Sequence, residues 1–189
     1  MSSNFIFEIY KDSRTVFTLK EIALLLNVPE LKRLKQRIHY YVQTNKLRNP
    51  RKGIYVKEDY LSEELACKVN SPSYISLEYV LQKAGIIFQY STNITLVSYL
   101  SRTIDIDGHF LVYRKIKNPV LYNAVGINRG KNGINIASPE RAFLDTNYLN
   151  KNFHFDSLLG LNRESIMKML VLYQSKELEK RVLKMFKNA

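Results

Sequence analysis

Apolar and polar positions alternate along this chain in a way that predicts its elements one after another. Phe5, Ile6, Ile9 and Tyr10 recur at helical spacing over residues 3–12, which predicts a short amphipathic helix packed on the next elements of the chain. Val16 and Phe17 lead into Thr18-Leu19-Lys20-Glu21, the chemistry of a helix start: the Thr18 hydroxyl can bond a free amide, and Glu21 can return a bond to the cap. A helix is predicted from Leu19 to Asn27, with Ile22, Ala23, Leu25 and Leu26 as its apolar positions. The turn Asn27-Val28-Pro29-Glu30 stops it, because the residue before a proline avoids helical angles. Pro29 then suits the entry to another helix.

That next helix is predicted over residues 30–45. At about 100° per residue it turns Leu31, Leu34, Ile38, Tyr41 and Val42 inward on one stripe. Lys32, Arg33, Gln36, Tyr40 and Gln43 point away, with Lys35, Arg37 and His39 on the shoulders. After Asn45-Lys46-Leu47 the pattern becomes a short strand, the turn Asn49-Pro50-Arg51-Lys52-Gly53, and a second strand Ile54-Tyr55-Val56. Two helices joined by a tight turn and followed by a basic hairpin predict a winged helix-turn-helix whose second helix enters the major groove. Arg and Gln can bond bidentately to guanine and adenine edges, while Lys and Tyr more often hold phosphates. Arg48, Arg51 and Lys52 sit where a wing would graze the backbone or a minor groove.

Ser62 to Val69 is predicted as a linking helix, and Asn70-Ser71-Pro72-Ser73 punctuates it. A boundary near residue 70 separates a DNA-binding domain, 1–70, from an α+β domain with a C-terminal helical region, 71–189. Residues 76–84 are predicted as a helix ended by Gly85. Runs at Ile94–Tyr99, Phe110–Ile116, Val120–Ile127 and Ile134–Ala137 are predicted as antiparallel strands, separated by turn signals at Asp107-Gly108 and Gly130-Lys131-Asn132-Gly133. Pro139-Glu140-Arg141 opens a helix to about Leu149. Asn162 can cap a helical region carrying Ile166, Met169, Leu170 and Tyr173, then Leu178, Val182 and Met185. The predicted fold class is α+β, an N-terminal winged helix-turn-helix followed by a mixed α/β domain.

Charge sharpens this reading. The 189 residues hold 29 Lys plus Arg against 17 Asp plus Glu, a formal charge of +12, which predicts anionic partners. Lys32, Arg33, Lys35, Arg37, Lys46, Arg48, Arg51, Lys52 and Lys57 fall in residues 31–57 with no acid among them. Acids border the segment, a distribution expected of a surface that displaces counterions from nucleic acid. The longest apolar runs, IALLL, AGIIF and MLVLY, are far short of the roughly 20 residues of a membrane helix, which excludes an integral helical membrane protein. The start MSSNFIFEIYKDS does not have the pattern of a secretory signal, so a cytoplasmic protein is expected. Cys67 stands alone, which excludes an internal disulfide and a multi-cysteine zinc site; it is expected to act as a small buried apolar side chain.

The second half offers little chemistry. Asp105-Ile106-Asp107-Gly108-His109 lacks the glycine and glutamate positions of a calcium loop and is expected to form a turn. His39, His109 and His154 are dispersed, and neither a nucleophile elbow nor a phosphate-cradling loop occurs. A nuclease would want an acid two residues before Lys115, where Tyr113 stands. Glu140 and Asp145, five apart on one predicted helix, are each expected to be a helix-start charge or a packing hydrogen-bond acceptor. No catalytic activity, metal or cofactor is expected.

The string VFTLKEIALLLNV, the basic helix after it and RNPRKGIYV resemble the N-terminal winged helix of AbiEi-type antitoxins from abortive-infection (type IV) toxin–antitoxin systems. PSYISLEYVLQKAGII resembles the family's entry helix, and IASPERAFLDTNYL its later Pro-Glu-Lys/Arg-Ala segment followed by an apolar pair and Asp. The likeness spans about residues 14–149, and the ordered pair of PSYISLEYVLQKAG and SPERAFLD is its more specific part. Family members commonly carry a Gly before the first wing strand, where Asn45-Lys46 stands here. The resemblance implies an antitoxin that also binds inverted repeats in its promoter and represses its operon. It further implies a nucleotidyltransferase-like toxin as functional partner, countered without a stable complex. The alternatives are a stand-alone winged-helix regulator whose second half senses a ligand or dimerises, and a nucleic-acid-processing enzyme using Asp105, Asp107 or Glu140.

Overall fold

A computed structural model describes residues 3–130 and 132–187. The chain is α+β and divides into two compact units, one reaching Val69 and including residues 132 and 133, the other formed by the rest of the described chain from Asn70 onward. Lys131, part of the predicted turn at 130–133, lies outside the described residues. Among the described residues no helix is long and apolar enough to cross a membrane.

The first unit runs α1 (Ser3–Lys11), β1 (Val16–Thr18), α2 (Leu19–Leu25), α3 (Leu31–Gln43), β2 (Arg48–Arg51), β3 (Ile54–Val56) and α4 (Ser62–Val69). Thr18 caps α2 as its chemistry predicts. Its hydroxyl accepts from the Glu21 amide at 3.3 Å, and the Glu21 carboxylate accepts from the Thr18 amide at 2.7 Å. The three strands form an antiparallel sheet in the order β1-β3-β2. β1 is a strand because Val16 and Phe17 pair with Val56 and Tyr55, a long-range partnership that local periodicity does not reveal. Glu64, buried in α4, accepts from the Val16 amide at 3.1 Å and the Thr15 amide at 2.9 Å, fixing α4 to the start of β1. Phe5, Ile9, Phe17, Ile22, Leu34, Ile38, Tyr41 and Leu47 make the core beneath the helices. Leu31, expected on the inward stripe of α3, is instead exposed: the first turn of the helix begins outside that core.

The second unit contains β4 (Ser73–Ile75), α5 (Glu78–Lys83), β5 (Ile94–Ser98), β6 (Arg102–Ile106), β7 (His109–Lys115), α6 (Asn118–Leu121), β8 (Ile127–Arg129), β9 (Asn135–Ala137), α7 (Pro139–Leu149), α8 (Arg163–Leu170) and α9 (Lys176–Met185). Its sheet has the order β6-β7-β5-β4-β9-β8. The expectation of antiparallel strands is corrected here, since β4 pairs with β9 and β5 with β7 in parallel. The β6–β7 hairpin supplies the reason for one of these pairings. β6 takes the sheet edge, antiparallel to β7, so that β7 returns alongside β5 in the same direction.

The run Val120–Ile127 is not a strand. Pro119 stands at the start of α6, where its missing amide costs nothing, and Gly126 at φ 74° breaks the extended path. The Asp107-Gly108 signal does make the hairpin turn, with φ 55° and 79°, while the polar-looking partner β6 escapes a reading based on apolar runs.

Candidate nucleic-acid interface

Asn27 closes the α2–α3 turn. It adopts φ 50°, a left-handed conformation that Asn tolerates; its amide donates to Leu24 O at 3.3 Å, and the Val28 amide donates to Ala23 O at 2.9 Å. α3 then starts with the Leu34 amide donating to Glu30 O at 3.1 Å. Leu34, Ile38 and Tyr41 are buried and Val42 is half-buried, which orients the rest of the helix outward. Lys32, Arg33, Lys35, Gln36, Arg37, Tyr40 and Gln43 are all exposed, as is His39.

These residues do not act as one undifferentiated strip. Helical spacing puts Arg33, Arg37 and Tyr40 on one flank and Lys32, Lys35 and His39 on the other, with Gln36 and Gln43 between. Arg33, Gln36, Arg37 and Tyr40 line an open cleft together with Tyr41. The cluster has two further partners. The Arg37 guanidinium lies over the ring of Phe5, 4.3 Å from its centroid, and Arg33 Nε is 3.1 Å from Glu30. The Glu30 pairing is legible in the i,i+3 spacing, although the charge pattern drew attention only to the cations; Phe5 comes from α1, and no local signal joins it to Arg37.

α3 ends at a second left-handed residue, Asn45 at φ 55°, after which the Lys46 and Leu47 amides both donate to Tyr41 O, at 2.9 and 3.1 Å. Asparagine does here what glycine commonly does at a helix end. The hairpin after it is irregular: Arg48 pairs with Val56 and Arg51 with Ile54, so Asn49 and Pro50 bulge. Asn49 Nδ2 braces the bulge by donating to Arg51 O at 2.9 Å and Ile54 O at 2.6 Å. Arg48 and Lys52 are exposed; Arg51 is half-buried. Arg48 also lies 5.8 Å from the centroid of the Tyr60 ring.

Lys57 departs from the basic surface its sequence position implies. It is buried, donates to Tyr10 O at 3.3 Å and to Asp12 O, and faces the rings of Tyr10 and Phe17. Burial lowers its pKa from the ordinary lysine range against the pull of Asp12 and Glu64. Beside it, the bond from Arg14 holds the Asp12 carboxyl below the usual carboxylate range.

Three acids of the second half accept hydrogen bonds within it. Asp105 Oδ1 accepts from the Gly108 amide at 3.1 Å, and Glu140 Oε1 from the Asn162 amide at 3.2 Å. Asp145, fully buried, accepts from Tyr173 at 2.6 Å and Ser76 at 2.8 Å. Among the described residues no three His, Cys, Asp or Glu side chains form a group that could hold a metal ion. Cys67 is buried.

No family model and no curated protein matches the sequence. Among solved structures, one described as the crystal structure of RV2827C protein from Mycobacterium tuberculosis aligns with 97% of this chain and 71% of its own, at 14% identity and a TM-score of 0.47.

Proposed function

We propose that this protein is a double-stranded-DNA-binding repressor built on a winged helix-turn-helix, and that it serves as the antitoxin of a type IV system. The observation that carries the DNA-binding part is the outward face of α3, where Arg33, Gln36, Arg37, Tyr40 and Gln43 stand exposed directly after a tight turn. The antiparallel β1-β3-β2 sheet behind it, with Arg48 and Lys52 exposed on the hairpin, supplies the wing. α3 reads base edges in the major groove while the hairpin holds the backbone. The antitoxin part rests on the likeness of PSYISLEYVLQKAG and SPERAFLD to the AbiEi-type family. Its counterpart is a nucleotidyltransferase-like toxin, opposed without a lasting complex.

The test separates reading from holding. Arg33→Ala and Gln36→Ala each cost about 1–3 kcal/mol on the preferred duplex and relax sequence preference, measured by titrating specific and random duplexes. Arg51→Ala and Lys52→Ala weaken all duplexes alike and reduce the salt slope by about one unit per lost phosphate contact. Equal effects of both groups on specific and random DNA would refute the groove assignment. Growth on co-expression with the neighbouring gene tests the antitoxin role.

A second reading draws on a cleft of about 230 Å³ in the second unit, lined by Tyr74, Tyr122, Asn123, Arg129 and Asn135 among others. Such a lining suits a small polar ligand and a stand-alone regulator that senses it. Absence of a nucleotidyltransferase-like reading frame beside the gene favours this second reading.

A further inference from the structure

The cleft on α3 has walls of unlike chemistry. Its aromatic side is Tyr40 and Tyr41, and its rim carries Arg33, Gln36 and Arg37. The rings are held by a chain of contacts: Phe5 stacks on Tyr41 with centroids 5.2 Å apart and planes 14° apart, and Tyr41 meets Tyr40 edge-on at 5.4 Å. Phe5 and Tyr41 are almost fully buried, whereas Tyr40 is 60% exposed. The ring of Phe5 also carries the Arg37 guanidinium, so one rim cation and the buried ring of the wall rest on the same side chain. Phe5 of α1 thus seats Tyr41 and Arg37, while Arg33, Gln36 and Tyr40 stand exposed around them.

Resting on the DNA-binding reading, we infer that this cleft receives the C5-methyl group of a thymine. The groups that base pairs present in the major groove are amino donors, oxygen and nitrogen acceptors, and the thymine methyl, which is the sole alkyl group among them. An aromatic carbon wall offers an acceptor or an amino group little in exchange for its water, whereas it welcomes a methyl. The donors on the rim suit the phosphates and purine edges that flank a base in the major groove. α3 accordingly demands a thymine at one fixed position of its site, and Tyr40 is the residue that imposes it.

The experiment changes the DNA, so protein folding is not at issue. The tightest duplex selected by the full-length protein from a random pool is resynthesised with uracil in place of each thymine in turn, which removes only the methyl. Uracil at one thymine of the bound site weakens binding about three- to five-fold, the worth of one buried methyl. In Tyr40→Ala the thymine and uracil duplexes bind equally at that position. Equal binding of both duplexes by the wild-type protein, or a methyl effect that persists in Tyr40→Ala, overturns the inference while leaving DNA binding intact. Failure to select any duplex over random sequence refutes the DNA-binding reading itself, and this inference falls with it.

Discussion

Lys57 and Asp12 illustrate how individual side chains redistribute a charge that the composition only counts. Lys57 ends the basic stretch in sequence, yet its ammonium is buried against the Tyr10 and Phe17 rings and bonded to main-chain carbonyls. It holds the segment after α1 and is removed from the exposed basic surface. Asp12 is bonded by the Arg14 side chain and amide, at 2.6 Å to Nη2 and 2.8 Å to the main-chain nitrogen. Its pKa is therefore depressed in the folded protein, first by the Arg14 side-chain bond. A group whose folded pKa lies below its unfolded value stabilises the fold above the ordinary carboxylate range and loses that contribution as pH falls through the folded pKa. Denaturant titrations over the acid range should show Asp12→Asn with a shallower loss of stability than the wild type and with lower stability near neutrality.

Elements were legible where their signals are local. The Thr18 and Glu21 capping box was readable because both partners lie within one turn, and the structure closes it in both directions. Thr18→Ala should cost about 1 kcal/mol, measured by urea denaturation, with the β1 edge less affected because Glu64 still accepts the Val16 amide. The outward face of α3 was legible for the same reason: a 3.6-residue period separates Leu34, Ile38 and Tyr41 from the cations, and burial obeys that division. Of the three-residue strands, β3 was legible beside its Pro-Gly turn, whereas β1 and β4 were not, because their strand state depends on partners far away in sequence and no hairpin turn marks them. Val120–Ile127 failed in the opposite direction. Its apolar residues suggest a buried strand, but Val120 and Leu121 are buried in a short helical turn instead.

In the second unit a single buried arginine decides how such local preferences resolve. Arg141 on α7 has no exposed surface; it donates to Val125 O and Val120 O at 2.7 Å each and to the Tyr74 hydroxyl at 3.2 Å. It is also 3.4 Å from Asp145, whose other bonds come from Ser76 and Tyr173. Burial opposes the arginine charge, but Tyr173, Asp145 and Tyr74 outweigh it and raise the guanidinium pKa. This network ties α6, β4, α7 and the turn ending at Tyr173 to one point, and Gly126 fits against it because it has no Cβ, which would come 2.9 Å from Arg141 Cβ. Arg141→Met leaves Asp145 buried without its cation and two carbonyls without a donor, so it should destabilise by roughly 3–5 kcal/mol, read as a lower urea midpoint.

The sequence by itself determined the helices with caps, the inward and outward faces of α3, the hairpin turn at Asp107-Gly108 and the uneven distribution of charge. Each of these is decided by residues within a few positions of one another, through dihedral preference, capping bonds or helical period. Only the tertiary structure decided the parallel pairings of β5 with β7 and β4 with β9, the burial of Lys57 and the seat of Arg37 on Phe5. Those depend on partners brought together from distant segments, whose contribution is absent from any local window of the chain.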